Sequence, residues 1–339
     1  MNYFLILFTP ILIYLLTNFL RNKSLLLNYS GDKHQNYTLE KKIPLSGGIF
    51  IALYFLIFFF NNTQLIIFAT LIFFLGFFSD LKIFNSAKFR FILQLLIIFS
   101  FIFFNDILLQ NTKVIFIDQL LKNEIYNYFF VLFCILILVN GTNFIDGLNT
   151  NVLGYYITIS LFVFLTNQDF FQTNFTSWIY WISILIILYL FNFSNKLFIG
   201  DSGSYFLGFV YGFLLIEIYL SNTKLSPFFI ILLVWYPCFE LLFSIIRKFR
   251  FKKSPILPDT KHLHQLLYIF IKKKLKIKNI KANICSASII NLFNISSIFL
   301  GSLNVSNTQY QVFLILINVF VYCYVYFNLF NNLYFRRYK

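Results

Sequence analysis

Charge is scarce in this sequence of 339 residues. Only 12% of the residues are charged, about half of the fraction in soluble domains. A further 59% are apolar, and the mean hydropathy is +0.77. This composition excludes an ordinary soluble domain, so the chain is predicted to be an integral membrane protein.

Cysteine and histidine are also rare. The four cysteines are isolated within apolar stretches, where they show neither metal-ligand spacing nor a disulfide framework, and are predicted to be small packing residues. The chain has only three histidines, and His262 and His264 form the one pair among them. A zinc centre is therefore not expected.

Long apolar stretches make up most of the chain. We predict eleven, near residues 3–20, 43–60, 64–78, 89–104, 126–139, 152–165, 176–192, 202–220, 226–246, 283–302 and 310–332. Several are shorter than the roughly 20 residues that cross a bilayer, so their helices must extend into polar flanks or stop short of the surface. The predicted fold is an all-α, polytopic transmembrane helix bundle of about 11 spans, forming one domain over residues 1–339.

Lysine and arginine predict the orientation. Placed on alternate sides of the eleven stretches, 24 of these residues fall on one side and only Lys113, Lys122 and Lys224 on the other. Basic residues accumulate on the cytoplasmic side, so the amino terminus is expected outside and the carboxyl terminus inside. The basic connection 247–282 supplies much of the net charge of +15, which a topology signal against anionic lipid explains without nucleic acid. Some of these cations could also hold a phosphate-bearing substrate.

Four short polar clusters lie in connections on the predicted cytoplasmic side. They are Ser79-Asp80, Asn140-Gly-Thr-Asn143-Phe-Ile-Asp146-Gly147, Gly200-Asp201-Ser-Gly-Ser204 and Asp259-Thr-Lys-His262-Leu-His264. Taken alone, Asp-Gly is typical of a tight turn, and histidines in a charged connection are often only solvated. Ionisable groups near a membrane are costly, so four clusters on one face indicate a functional site.

The cluster residues favour phosphate chemistry. Asn143, Asp146 and Asp201 offer hard oxygen ligands, which predict Mg²⁺ or Mn²⁺. Such a metal usually completes its shell with substrate phosphates and water, and basic residues, especially Arg247, Lys248 and Lys261, would suit a diphosphate. These are the components of phosphoryl transfer.

The motif order resembles that of a known family. In chain order the motifs are Pro44-Leu-Ser-Gly47-Gly48, Gly76-Phe-Phe-Ser79-Asp80, Asn140-Gly-Thr-Asn143-Phe-Ile-Asp146-Gly147, Asn192, Lys196-Leu-Phe198-Ile-Gly200-Asp201-Ser-Gly-Ser204 and His262-Leu-His264. From residue 41 to about 267, the chain is similar to the polyprenyl-phosphate N-acetylhexosamine-1-phosphate transferases. That superfamily includes the bacterial enzymes that start O-antigen and teichoic-acid carriers.

The resemblance implies a Mg²⁺-dependent reaction at the inner leaflet of the bacterial cytoplasmic membrane. A UDP-activated amino sugar would give its sugar-1-phosphate to polyprenyl phosphate and release UMP. By this analogy Asp201 and Asn143 bind the metal, Asp146 helps hold the nucleotide, and Asp80 lies by the lipid phosphate. The remaining implied residues are His262 and His264 near the diphosphate, Phe198 on uracil, and Gly47, Gly48, Asn140, Lys196, Arg247 and Lys261 in substrate binding. The resemblance leaves a homodimer open.

Two positions depart from the family pattern. Ser79 stands where the family usually has the first of two aspartates, one of the candidates for the base that acts on the lipid phosphate. Glu240 stands where many relatives have aspartate. Ser79 motivates an alternative, a family member that has lost catalysis and acts in assembly. A transporter is a further alternative, although it would more often place ionisable groups near the membrane midplane.

Overall fold

The computed structural model of the protein describes residues 2–28, 43–59, 62–250, 252 and 261–334. Over these ranges helices are the regular secondary structure, joined by turns and irregular connections, with one isolated bridge between Leu27 and Pro44. The all-α prediction is confirmed. The helices are α1 (Asn2–Asn22), α2 (Gly47–Phe58), α3 (Thr63–Asp80), α4 (Ala87–Phe104), α5 (Ile115–Leu120), α6 (Glu124–Ile145), α7 (Asn151–Thr166), α8 (Gln168–Phe171), α9 (Phe175–Phe193), α10 (Gly200–Ser221), α11 (Pro227–Arg250), α12 (Leu263–Leu275), α13 (Asn279–Ser302) and α14 (Thr308–Tyr334), with a short 3₁₀ turn at Gln172–Asn174.

Each predicted apolar stretch coincides with a helix. Among the described residues, nine helical segments are long and apolar enough to cross a membrane. The other two stretches form α2 and α7, which are apolar but shorter. The protein is therefore a multi-pass membrane protein, while eleven crossings and the orientation of the termini stay predictions.

Helix α10 occupies the centre of the bundle. It is buried along most of its length and packs against α2, α3 and α6. A side chain at Gly208 would place its Cβ 2.6 Å from the Val139 Cα, so the absence of a side chain lets α6 and α10 approach closely. By contrast, outer helices expose large apolar residues such as Phe4, Phe104 and Phe320, as expected of a surface that faces lipid.

The helix ends that carry the predicted clusters lie on one side of the bundle. The ends of α3 and α6 contact the start of α10, and the start of α12 contacts α11. Much of the basic connection 247–282 is helical, since α11 continues to Arg250 and α12 lies within it. Basic residues in the last turn of α11 are favourably placed for the helix dipole. Asp259 of the fourth cluster lies outside the described residues.

Candidate active site

Asp80, the last residue of α3, caps the start of α10. Its Oδ1 accepts a hydrogen bond from the Asp201 N–H at 2.8 Å, and its Oδ2 accepts from the Ser202 N–H at 3.0 Å and the Ser202 hydroxyl at 2.7 Å. The first N–H groups of a helix have no partner within the helix, and a carboxylate is favoured there. Asp80 therefore fixes the segment that carries Asp201.

Gly200 makes this approach possible. Its φ is +71°, in the left-handed region, and a Cβ there would lie 2.6 Å from Asp80 Oδ2. Any other residue would be strained and would collide with the capping carboxylate. The glycine of the Gly200-Asp201 motif is explained by this contact.

Asp201 is the centre of a polar cluster from four helices. Its Oδ2 accepts hydrogen bonds from the Ser79 hydroxyl at 2.6 Å and from Arg90 Nη1 at 2.7 Å. Its Oδ1 accepts from Asn143 Nδ2 at 2.7 Å, and the same amide donates to the Ser204 hydroxyl at 3.1 Å. The structure thus brings together Asp201 and Asn143, the two residues predicted to bind metal.

Arg90 was not among the predicted site residues. It lies in the first turn of α4, and its Nη1 also contacts the Ser79 hydroxyl. In the predicted topology Arg90 is only one of the 24 basic residues on the cytoplasmic side. The available signal was a half-buried charge near the start of a largely apolar helix, because charges in such helices usually have a partner or a function.

The donor set around Asp201 fits a magnesium ion that is completed by substrate. No group of three or more His, Cys, Asp or Glu residues in the described ranges could hold a metal by itself. One carboxylate and one amide are sufficient when phosphates and water supply the other ligands, which is how Mg²⁺ usually binds. Arg90 already neutralises part of the Asp201 charge, so a dication there would share the carboxylate with it.

Asp146 follows the last residue of α6. Burial raises the pKa of its carboxyl well above the ordinary value, and the negative charges of Asp201 and Asp80 raise it further. Asp146 donates its N–H to the carbonyl of Asn143, whose amide contacts Asp201, so it lies at the same junction of helix ends. Asp146-Gly147 also lies in a turn, so a tight turn and a place in the functional site are compatible interpretations of this motif.

Asparagines hold the segment after Asp146. The Asn149 N–H donates to Asn283 Oδ1 at 2.8 Å, and Asn149 Nδ2 donates to Asn195 Oδ1 at 2.9 Å. Thr150, with φ of 68°, is fixed through its carbonyl, which accepts from Asn291 Nδ2 at 3.1 Å. Because asparagine is abundant in the sequence, these asparagines could not be recognised from the sequence as residues that hold this segment.

His264 packs against the turn after α6. It is fully buried, and a Cβ on Gly147 would overlap its ring. Neither ring nitrogen has a hydrogen-bond partner in the described part of the chain. Burial and the neighbouring His262 lower the pKa of His264 to about 3, so the ring is neutral near pH 7.

His262 immediately precedes α12 and lies parallel to His264, with ring centroids 5.6 Å apart. Its Nδ1 is 2.9 Å from Glu240 Oε1 on α11, and Phe144 contacts its ring edge-on at 5.2 Å. Phe144 lies two residues before Asp146. The predicted His-x-His motif is therefore placed beside the end of α6.

The predicted cations have different surroundings. Arg247 is buried and donates to the Lys261 carbonyl and, at 2.6 Å, to the Tyr326 hydroxyl. Lys261 Nζ lies 5.3 Å from the ring centroids of Phe330 and Tyr334. Lys196 is exposed, and its Nζ lies 5.9 Å from the Phe191 ring centroid.

Another cation, Lys248, is buried with its Nζ 5.8 Å from the Phe144 ring centroid, which places it near His262.

The glycine motif contacts the start of α10 through its backbone. Gly47 N–H donates to the Phe198 carbonyl at 2.8 Å, and Gly48 N–H donates to the Ile199 carbonyl at 3.1 Å. Phe198 is half-buried. Asn140 donates to Gln94 Oε1 at 2.9 Å and so joins α6 to α4. Their predicted contacts with substrate stay predictions.

Comparison with known proteins agrees with this arrangement. Residues 62–219 match the family model described as glycosyl transferase family 4. The undecaprenyl-phosphate alpha-N-acetylglucosaminyl 1-phosphate transferase of Thermotoga maritima is 27% identical over 265 residues, which are 76% of this chain and 78% of that protein. The protein of the same name from Escherichia coli (strain K12) is 24% identical over 54% of this chain and 52% of its own length.

A third relative is the probable undecaprenyl-phosphate N-acetylglucosaminyl 1-phosphate transferase of Bacillus subtilis, 32% identical over 36% of this chain and 33% of that protein. The matched region 62–219 contains α3, α6 and the start of α10, on which Asp80, Asn143 and Asp201 meet. Residues 62–219 of the chain are thus similar to glycosyl transferase family 4, and the chain is similar to relatives named undecaprenyl-phosphate N-acetylglucosaminyl 1-phosphate transferases.

Proposed function

We propose that this protein transfers a sugar-1-phosphate, derived from a UDP-activated N-acetylhexosamine, to undecaprenyl phosphate at the cytoplasmic leaflet. The product would be a lipid-linked diphosphate sugar that starts a cell-envelope glycan, and UMP would be released. The observation that carries this proposal is the meeting of Asp80, Asn143 and Asp201 at joined helix ends in a multi-pass membrane protein that is similar to this family.

The reaction exchanges one phosphoanhydride bond for another. An oxygen of the lipid phosphate attacks the phosphorus that bears the sugar, and a new P–O–P bond forms. The bond between that phosphorus and the oxygen bridging to UMP breaks, and UMP leaves with this oxygen. Little covalent chemistry is required of the protein, so positioning and charge stabilisation are its tasks.

The described residues support these tasks. Asp201 and Asn143 would hold Mg²⁺, or Mn²⁺ in its place, through hard oxygen atoms. When bound, the metal would neutralise charge on the diphosphate. Arg90, on α4, would also neutralise charge on the diphosphate, because its guanidinium already contacts the Asp201 carboxylate and is suited to binding phosphate.

By the family resemblance, we assign the parts of the substrates to positions around this centre. Phe198 is half-buried beside the start of α10 and would stack on uracil, with Asp146 holding the nucleotide. Asp80 would organise the lipid-phosphate side by holding α10 in place, and His262 with Lys248 would lie near the diphosphate. The remaining predicted contacts, from Gly47, Gly48, Asn140, Lys196, Arg247 and Lys261, belong to the same proposal.

The test is transfer by purified protein in lipid nanodiscs. The protein is incubated with Mg²⁺, undecaprenyl phosphate and a panel of radiolabelled UDP-sugars, and butanol-soluble label and released UMP are both measured. We expect one labelled lipid with an equal amount of UMP, and no product in EDTA. Asp201→Asn should abolish transfer, while Asp169→Asn, an acid in the distant helix α8, should leave it unchanged.

Two outcomes would count against the proposal. If every donor gives no lipid product while the protein is folded, a role in assembly gains, as the serine at position 79 first suggested. If the same protein in sealed liposomes carries label into the lumen without UMP release, transport is the better description. The helix-end position of Asp80, Asn143 and Asp201 favours the transferase over the transporter.

A further inference from the structure

Three buried polar side chains form a connected chain at the edge of the site. The Tyr322 hydroxyl, on the last helix α14, donates to Glu240 Oε2 at 2.7 Å. Glu240 Oε1 lies 2.9 Å from His262 Nδ1. Glu240 is fully buried, with an exposed fraction of 0%. Tyr322 and His262 are nearly buried, with exposed fractions of 2% and 6%.

This geometry fixes the hydrogen on the imidazole. A carboxylate only accepts hydrogen bonds, so the nitrogen facing Glu240 must carry a hydrogen. With Nδ1–H turned to Glu240, Nε2 faces away from it: its lone pair can accept a hydrogen bond from a hydroxyl or water, and it can donate to a phosphate oxygen only when it also carries a hydrogen. The contacts with Phe144 and His264 restrict the plane of the ring.

Glu240 in turn depends on Tyr322. With both donors in place each carboxylate oxygen has a partner, and a buried carboxylate that loses one partner is strongly disfavoured. The Tyr322 ring is itself held edge-on by Phe239 at 4.9 Å and by Phe243 at 5.3 Å. The hydroxyl is therefore presented from a fixed position.

We infer that Tyr322 is a positioning residue, which holds Glu240 so that Glu240 keeps His262 in the Nδ1–H form with Nε2 directed to substrate. This inference rests on the proposed function, in which His262 lies near the diphosphate. It assigns a role to α14, which lies outside the matched region 62–219. Glu240, with its longer side chain than aspartate, reaches both partners.

The tautomer can be observed directly because the chain has only three histidines. Protein with ¹⁵N-labelled histidine in nanodiscs gives ring signals that report which nitrogen carries the hydrogen, and His262→Gln assigns the resonance. We expect wild type to show the Nδ1–H form at His262. Tyr322→Phe should shift this signal toward a mixture of forms, while Tyr324→Phe, an exposed tyrosine two positions away, should not.

Kinetics provide the second readout. Removing a partner that orients a reactive imidazole costs roughly 10–100-fold. We expect Tyr322→Phe to lower kcat about tenfold with little change in the KM for UDP-sugar, and Glu240→Gln to lower it about 100-fold. The double variant should be no slower than Glu240→Gln alone, since both act through one contact. Glu240→Asp should recover part of the rate because it restores a carboxylate.

The two proposals can fail separately. An unchanged His262 signal in both Tyr322→Phe and Glu240→Gln would overturn the positioning role, even in an active enzyme. Rate losses that multiply in the double variant would also overturn it. If the signal shifts as expected while no donor supports transfer in wild type, the positioning role stands and the proposed reaction is wrong.

Discussion

Arg90 Nη1 lies 2.7 Å from Asp201 Oδ2, so a cation on α4 is paired with the carboxylate predicted to bind metal. Arg90→Gln should leave Asp201 without this charge and lower transfer by roughly 100-fold, as loss of one charge-stabilising donor commonly does. Arg90→Lys should retain more activity because it keeps the charge. Initial rates at saturating substrates measure both.

Lys88→Gln is the matched control for Arg90, since Lys88 is exposed two residues earlier on the same helix. Its rate should equal that of wild type. A wild-type rate for Arg90→Gln would remove Arg90 from the site.

A second prediction concerns Ser79. The Arg90 guanidinium already contacts the residue at this position, so Ser79→Asp would receive a cationic neighbour. We expect Ser79→Asp to change the rate at neutral pH by no more than about threefold. Ser79→Ala removes the donor to Asp201 and should be slower than wild type. A wild-type protein that is inactive until Ser79→Asp is introduced would indicate that the serine has cost this chain its catalysis.

Gly200 should tolerate no side chain. Gly200→Ala forces a left-handed backbone on alanine, at a cost of about 1–2 kcal/mol, and adds a collision with Asp80. The thermal unfolding midpoint of the purified variant should fall. Gly212→Ala on the same helix should leave it nearly unchanged, because its Cβ would have an ordinary contact at 3.4 Å.

Acid should destabilise the protein partly through His264. Its pKa in the folded state is about 3, whereas histidine in an unfolded chain titrates near ~6.5. Between these values the unfolded state binds more protons, so this contribution to stability is complete above about pH 6.5 and is lost as the pH falls. His264→Gln should therefore show a smaller decrease in Tm from about pH 7 to pH 5 than wild type. An equal decrease would contradict the buried, neutral state of His264.

The predicted sidedness can be measured by cysteine labelling. Single cysteines at the exposed positions Lys252 and Asn111 are introduced into a background without the four natural cysteines. With a membrane-impermeant maleimide and intact cells, position 111 should label and position 252 should not. Labelling of position 252 from outside would show that the predicted topology is inverted and that the site lies on the outer face.

The sequence was sufficient for the helices and for one pair in the site. Apolar stretches mark buried or lipid-facing helices directly. Asn143 and Asp201 offer hard oxygen ligands, and the alternation of spans puts the helix ends that carry them on the same side of the membrane. The sequence could not show that Asp80 caps α10, because a cap normally comes from the preceding residues of the same helix. Only the packing of α3 against α10 supplies it.

The same limit applies to Arg90 and Tyr322. Helices that are apolar on all sides carry no pattern that says which neighbour each face contacts. A tyrosine on α14 has no visible link to Glu240 until the two helices are placed together. Asn149 and Asn283 were hidden for another reason, since asparagine is common throughout this chain.

The cap between Asp80 and Asp201 also bears on biosynthesis. The hydrogen-bonded groups are 121 residues apart in the sequence, so α3 is synthesised long before α10. Until α10 is synthesised, the Asp80 carboxylate has no N–H groups of α10 from which to accept hydrogen bonds. Asp201 gains its fixed position only when α10 packs against α3. The polar cluster around Asp201 can thus assemble only after six further helices have been synthesised between α3 and α10. The growing chain would lack the proposed active site during the first half of its translation.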